Sequence, residues 1–199
     1  ISEAVPADLD ILPYQRASDI VESAKAWGVI PCICRRQQKL VGKGCERPAD
    51  NCLVYAPVEG AFDRSQTVRA ISKEEALQVL RQAEGAGLVH TTMNHQAPAN
   101  YICNCCPCCC GVLRGLTEFG QPAAVAHSGF QASVDAALCT GCGACAEPCP
   151  TGALSLRDGV STVQVQRCIG CGLCVAACPS GALSLAPRPE SERIPPPAD

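Results

Sequence analysis

Between Cys139 and Leu185 the chain repeats itself, with one eighteen-residue phrase written twice at an offset of twenty-nine residues. The first copy reads Cys139-Thr140-Gly141-Cys142-Gly143-Ala144-Cys145-Ala146-Glu147-Pro148-Cys149-Pro150, followed by Thr151-Gly152-Ala153-Leu154-Ser155-Leu156. The second runs from Cys168-Ile169-Gly170-Cys171-Gly172-Leu173-Cys174 through Cys178-Pro179 and closes on the same Gly-Ala-Leu-Ser-Leu at Gly181 to Leu185. Twelve of the eighteen positions are identical. Each copy carries C-x2-C-x2-C-x3-C-P, the run that ligates iron–sulfur clusters, and two copies imply two clusters. Three thiolates within seven residues can close a loop around one [4Fe-4S] cube, and the glycines let backbone N–H groups turn toward its sulfides. The fourth cysteine follows a short helical turn that Pro150 or Pro179 stops, so its thiolate reaches the other cube. Cys139, Cys142, Cys145 and Cys178 are therefore expected to hold one cluster, and Cys168, Cys171, Cys174 and Cys149 the second.

From roughly Val134 to Ala186 this segment resembles the bacterial two-cluster ferredoxin. The competing uses of eight cysteines are weaker. Structural zinc sites pair two knuckles across a dozen or more residues, whereas here three ligands crowd into seven. Disulfides need an oxidising compartment, and no secretory signal is visible.

Composition points the same way. Eighteen cysteines would signal a disulfide scaffold only in a short secreted chain, and this one has 199 residues. One Trp, three Tyr and three Phe make a thin aromatic core for that length. Metal binding contributes folding free energy directly and would supply the missing cross-links. No apolar run approaches a membrane span. A net charge of −3 makes no electrostatic case for nucleic acid. A cytoplasmic location is expected, since cluster cysteines are loaded there. Ile1-Ser2-Glu3-Ala4-Val5-Pro6 reads as internal text, so a processed N-terminus or an upstream segment is expected.

Before the repeat, residues 1–17 read as an extended lead-in interrupted by Pro6 and Pro13. A helix is expected from an N-cap at Ser18 to a stop at Gly28, with Ile20, Val21, Ala24 and Trp27 on one face. Cys32, Cys34, Cys45 and Cys52 then fall within twenty-one residues, enough for one complete site. Cys32 and Cys34 alternate like strand residues, which would point them to opposite faces. A set of Cys34, Cys45 and Cys52 with a ligand from elsewhere is the other option, and a zinc ribbon-like knot or free buried thiols the bland one. Arg35, Arg36, Lys39, Lys43 and Arg47 surround this group. Such cations would stabilise an anionic cluster and raise its potential, dock an acidic donor, or form a plain solvated face.

Residues 56–69 read as loop. Ser72 and Glu75 mark a capping box for a helix carrying Ala76, Leu77, Leu80 and Ala83 inward and ending at Gly85 or Gly87. Leu88-Val89-His90 reads as a strand, and His90, His95 and His127 as satisfied surface groups. The densest stretch is Cys103-Asn104-Cys105-Cys106-Pro107-Cys108-Cys109-Cys110, six thiols in eight residues. Its C-x2-C pairs are Cys103 with Cys106, Cys105 with Cys108 and Cys106 with Cys109, and the spacing does not choose among them. The run is expected to ligate a cluster, alone or by sharing ligands with Cys32 to Cys52; a redox-active vicinal disulfide is the alternative. Cys103, Cys106, Cys109 and Cys110 are the favoured metal ligands, with Cys105 and Cys108 as further cofactor contacts. Residues 111–131 read as a linker, and Arg157-Asp158-Gly159 as the turn of a hairpin.

With its Cys-x-Cys-Arg, Gly-Lys-Gly-Cys, Ile-Ser-x-Glu-Glu-Ala, Gly-Leu-Val-His and Cys-Asn-Cys-Cys-Pro-Cys-Cys-Cys phrases, the N-terminal two-thirds is similar to the part preceding the dicluster ferredoxin in a set of larger bacterial and archaeal iron–sulfur proteins. That resemblance implies additional clusters and a longer parent chain. The expected architecture is α+β: a cysteine-rich part at 1–133, a pseudo-twofold ferredoxin-like dicluster domain at 134–186, and a Pro-rich extended tail at 187–199. The expected function is electron transfer through two [4Fe-4S] clusters, three or four in total, to or from a partner oxidoreductase. An iron–sulfur subunit of a reductase and a redox-sensing module are the alternatives. No phosphate-binding glycine loop and no nucleophile–base pair is apparent, so substrate chemistry is not expected from this chain by itself.

Overall fold

The computed structural model describes residues 9–94, 100–121 and 124–193; Pro6, His95 and the prolines at 195–197 lie outside them. Six strands, β1 (Leu9–Leu12), β2 (Ala26–Ile30), β3 (Cys52–Ala56), β4 (Arg69–Ile71), β5 (Val89–Met93) and β6 (Tyr101–Cys105), form one sheet in the order β1-β5-β6-β3-β2-β4. Every neighbouring pair is antiparallel. Alternation along a strand sends successive side chains to opposite faces. Leu12, Val29, Leu53, Tyr55 and Ile102 thus point into one core with Ala17, Val21, Ala76, Val79 and Leu80 from two helices. Their neighbours Ile11 and Cys103 belong to a second core.

The first helix, α1, spans Tyr14–Ser23, five residues earlier than its sequence pattern suggests. Pro13 precedes it in extended conformation, and its carbonyl accepts the first helical bond from Ala17 N–H at 3.1 Å. Proline has no N–H to lose there. Ser18 is not a cap; its hydroxyl donates to the Gln15 carbonyl one turn back, at 2.8 Å. Trp27 and Gly28 lie in β2, flanked by β3 on one side and β4 on the other. Two ladders of hydrogen bonds there override the helical spacing. The Trp27 indole N–H still returns to the helix, donating to Val21 O at 2.8 Å.

Cys32 stands at the N-terminus of α2 (Ile33–Leu40), where its carbonyl accepts from Arg36 N–H at 3.1 Å. The expected strand-like alternation of Cys32 and Cys34 is therefore replaced by a helical first turn. The next helix, α3 (Lys73–Gly85), starts where its capping residues predict, with Ser72 Oγ accepting from Glu75 N–H at 3.2 Å. Its buried face is Ala76, Val79, Leu80 and Ala83. The supposed linker after Cys110 holds α4 (Gly111–Thr117), and residues 124–129 lace the two halves of the molecule together. Ile11 N–H donates to Ala126 O, while Ser128 donates from N–H to Ile169 O and from its hydroxyl to Gly170 O.

The repeat folds as a pseudo-twofold. Strand β7 (Phe130–Val134) pairs with β10 (Leu183–Pro187), and β8 (Leu154–Arg157) pairs with β9 (Val160–Val163), the second pair closing through Asp158 and Gly159, both at positive φ. Leu183 sits opposite Val134 and Leu154 opposite Val163, so the two ladders share one register at the repeat offset. A short helix, α5 (Leu173–Ala176), follows the second loop. Gly141 and Gly170 occupy equivalent corners with φ of 69° and 70°, and a Cβ on either would collide with a carbonyl oxygen, of Gly159 or Phe130 respectively. Only glycine meets both demands. Beyond β10, Arg188 is buried and donates to the carbonyls of Phe130 and Cys168, and a 3-10 turn follows at Glu190–Glu192. At least the start of the expected tail is thus packed structure.

Candidate metal centres

All eighteen cysteines are free thiols, and they gather in four places. In the repeat, one apolar hollow is lined by Cys149, Cys168, Cys171 and Cys174 together with Ala132, Ala153, Leu154 and Leu185. Cys149 comes from the first copy of the motif and the other three from the second. Backbone donors point at these sulfurs: Ala153 N–H at 3.2 Å from Cys149 Sγ and Ala132 N–H at 3.5 Å from Cys168 Sγ. Burial, followed by the proximity of the neighbouring cysteines, pushes the thiols of Cys171 and Cys174 up to about 12. At the related position Ser161 takes the place of Ala132: its N–H lies 3.4 Å from Cys139 Sγ, and its hydroxyl, which Ala132 lacks, 3.3 Å from Cys145 Sγ. Ala132 and Ser161 each precede their own motif by seven residues, yet each N–H serves the other copy's first cysteine. Cys178 meets Ser180 as Cys149 meets Thr151. Closely grouped sulfurs facing backbone N–H groups and an apolar wall suit an anionic cluster with thiolate ligands.

The third group is a chain of six sulfurs. Cys32 neighbours Cys52, Cys52 neighbours Cys103, Cys103 neighbours Cys105, Cys105 neighbours Cys110, and Cys110 neighbours Cys34. The fold explains this directly. Cys103 and Cys105 are two apart on β6 and share a face, with Cys52 on the adjoining strand and Cys32, Cys34 and Cys110 at the starts of α2 and α4. Hydrogen bonding to Cys105 lowers the Cys103 thiol, but Cys52 and burial outweigh it and carry it up to about 12.

The fourth group is Cys45, Cys106, Cys108 and Cys109, whose Sγ atoms all lie within 4.8 Å of one another. Cys45 therefore parts from Cys32, Cys34 and Cys52, with which its spacing groups it. Cys108, left out of the favoured ligand set above, belongs with it. Each of the two N-terminal groups draws its thiols from both the 32–52 and the 103–110 stretches.

Between these two groups sits Arg35, buried at 3 % exposure. Its guanidinium donates to Asn104 O at 2.9 Å, Asn51 Oδ1 at 2.5 Å and Cys106 Sγ at 3.6 Å. Burial works against its charge, yet Cys106, Cys32 and Cys52 outweigh that and raise its pKa. A buried cation needs a counter-charge, and here the sulfurs are the available one. That is the arrangement thiolate-bound metal would call for. Arg47 Nη1 approaches Cys108 Sγ at 3.5 Å, whereas Arg36, Lys39 and Lys43 are exposed, so the basic run divides into cations on sulfur and a solvated face.

His90 is a buried group, not a surface one: its Nδ1–H donates to Asn104 Oδ1 at 2.6 Å, and burial, only partly countered by that bond, lowers its pKa. His127 is half-buried. Asn51, Asn104 and His90 form a polar support behind β6 that no motif announces. The alternation that sends Cys103 and Cys105 one way and Asn104 the other is the only trace of it in the sequence.

The arrangement defines an α+β chain whose thiols are placed for metal. Residues 138–183 match the family model of the 4Fe-4S dicluster domain, just under a quarter of the chain, so this segment is a 4Fe-4S dicluster domain and the chain an iron–sulfur, metal-binding protein. No curated protein matches the chain. Among the described residues no helix is long and apolar enough to cross a membrane.

Proposed function

We propose that this chain is a multi-centre electron-transfer protein that relays single electrons through [4Fe-4S] clusters to or from a partner oxidoreductase. One observation carries the reading. Cys171 of the dicluster domain packs in the same apolar core as Cys103, Cys105 and Cys110, with Ile169 and Leu173 filling the space between the two parts. A cluster held by the second motif would therefore lie against the same apolar core as the six-thiol group, which supports electron passage between them.

In this reading Cys139, Cys142, Cys145 and Cys178 ligate one cluster, and Cys149, Cys168, Cys171 and Cys174 the next. A third takes its ligands from Cys32, Cys34, Cys52, Cys103, Cys105 and Cys110. Bound clusters supply one-electron redox chemistry. The protein's own residues hold them in line, exclude water through Ile169, Leu173 and Leu113, and set positive charge beside them through Arg35. The exposed Cys142 end of the dicluster domain is where a partner would approach.

Paired substitutions test the ligand assignment. Cys149→Ser combined with Cys171→Ser should remove about four irons per chain, because both residues serve one cube. Combining Cys149→Ser with Cys142→Ser should remove about eight. The reverse pattern, read by iron and sulfide analysis under anaerobic conditions, would show that each motif binds its own fourth cysteine.

A further inference from the structure

The fourth thiol group differs from the others in one measurable respect. Cys45 Sγ lies 3.7 Å from Cys109 Sγ and 3.9 Å from Cys106 Sγ, and Cys109 Sγ lies 3.9 Å from Cys108 Sγ. Four thiolates bound to a single ion at about 2.3 Å stand at the corners of a tetrahedron whose edge is about 3.8 Å. A [4Fe-4S] cube cannot be ligated at that separation, because each thiolate binds a different iron and the cube's own irons and sulfides stand between them. Among the described residues this is the one set of cysteines whose sulfurs close so tightly.

We propose that Cys45, Cys106, Cys108 and Cys109 form a mononuclear tetrathiolate centre occupied by zinc, a structural clamp separate from the electron relay. Cys106 and Cys109 supply a C-x2-C knuckle in the turn after β6, where Cys109 N–H donates to Cys106 O at 3.4 Å. Cys45 supplies the remote ligand from the 41–51 segment, which contains no helix or strand. Binding the ion displaces the thiol protons and leaves a centre of charge −2. Two guanidiniums meet that charge, Arg35 at Cys106 and Arg47 at Cys108, and Arg47 Nε also donates to Ala86 O at 3.1 Å.

The donor set by itself admits zinc or iron. Position favours zinc. The quartet ties an otherwise irregular segment to the end of a strand, and three of its members, Cys45, Cys106 and Cys109, pack with Ala83 and Leu88 in a core distinct from the one holding Cys171. All four positions are filled by protein sulfur, the closed form of a structural zinc site.

The test is metal analysis and zinc-edge X-ray absorption on the full chain purified without oxygen. The expected result is about one zinc per chain with four sulfur neighbours at about 2.3 Å and no iron shell. Cys108→Ser, at the exposed member of the quartet, should lower zinc occupancy at least about tenfold after dialysis against a chelator, with iron and sulfide unchanged. Cys103→Ser should do the opposite. Zinc absent from the wild-type chain, or bound through nitrogen and oxygen, overturns the proposal. So does a Cys108→Ser protein that loses iron with sulfide, as for a cube, or iron alone, as for a mononuclear iron site.

Discussion

Arg35 shows how much of this protein turns on a single side chain. It is the third residue of α2, and its guanidinium reaches a backbone oxygen, an amide oxygen and a sulfur at once. Its sequence neighbours Arg36 and Lys39 are ordinary exposed cations, so charge and local pattern do not distinguish it. Only the approach of β6 and the Asn51 segment encloses it. Replacing Arg35 with Gln should lower the reduction potential of the six-thiol centre, whose Cys32 and Cys52 lie beside it, by about 60–120 mV, one to two factors of ten for a one-electron couple. Lysine should recover part of that charge effect but not the forked hydrogen bonding, which needs the planar guanidinium. A redox titration followed by electron paramagnetic resonance measures both; an unchanged potential in the Gln variant would mean that Arg35 is only a packing residue.

At the scale of elements, the repeat was the most readable part of the chain. Its cysteines, glycines and the Asp158-Gly159 turn are each dictated by local geometry, so reading them requires no knowledge of the rest. Gly170 and Gly159 separate two of those demands. Both sit at positive φ, at 70° and 78°, but a Cβ at Gly170 would meet Phe130 O and Ser128 Oγ, whereas nothing lies within 4 Å at Gly159. Gly159→Ala should cost on the order of 1 kcal/mol of backbone strain. Gly170→Ala should cost clearly more and shed iron on heating, since it forces the Cys168–Cys171 loop away from Phe130. Equal losses in thermal midpoint and iron retention would refute the close-approach argument. Helix α3 was equally legible, because Ser72 and Glu75 act within one turn. Helix α1 was not: Trp27 and Gly28 look helical by spacing, and strands from 26 to 44 residues away claim them.

For the whole molecule, the decisive contacts are those joining the sheet to the dicluster domain. Ile11, Val89, Leu113, Val125, Ile169 and Leu173 share one core, Ser128 ties into the Cys168 loop, and Arg188 closes over it. A rigid joint of this kind predicts that neighbouring reduced centres are magnetically coupled. The reduced spectrum of the intact protein should show interaction splitting that is lost or reduced in both the Cys149→Ser and the Cys103→Ser variants. An intact spectrum without such splitting would argue that the centres lie too far apart to form a relay.

By itself the sequence determined the dicluster domain, its crossed expectation for Cys149 and Cys178, and the presence of more thiols than two clusters use. Those follow from spacing within a few residues, where bond lengths and turn geometry leave little freedom. The tertiary structure decided how the ten upstream cysteines divide into a chain of six and a tight quartet. That division depends on strand register and on where the 41–51 segment meets the turn after β6. Both are set by packing between parts of the chain some sixty residues apart, which no local spacing encodes.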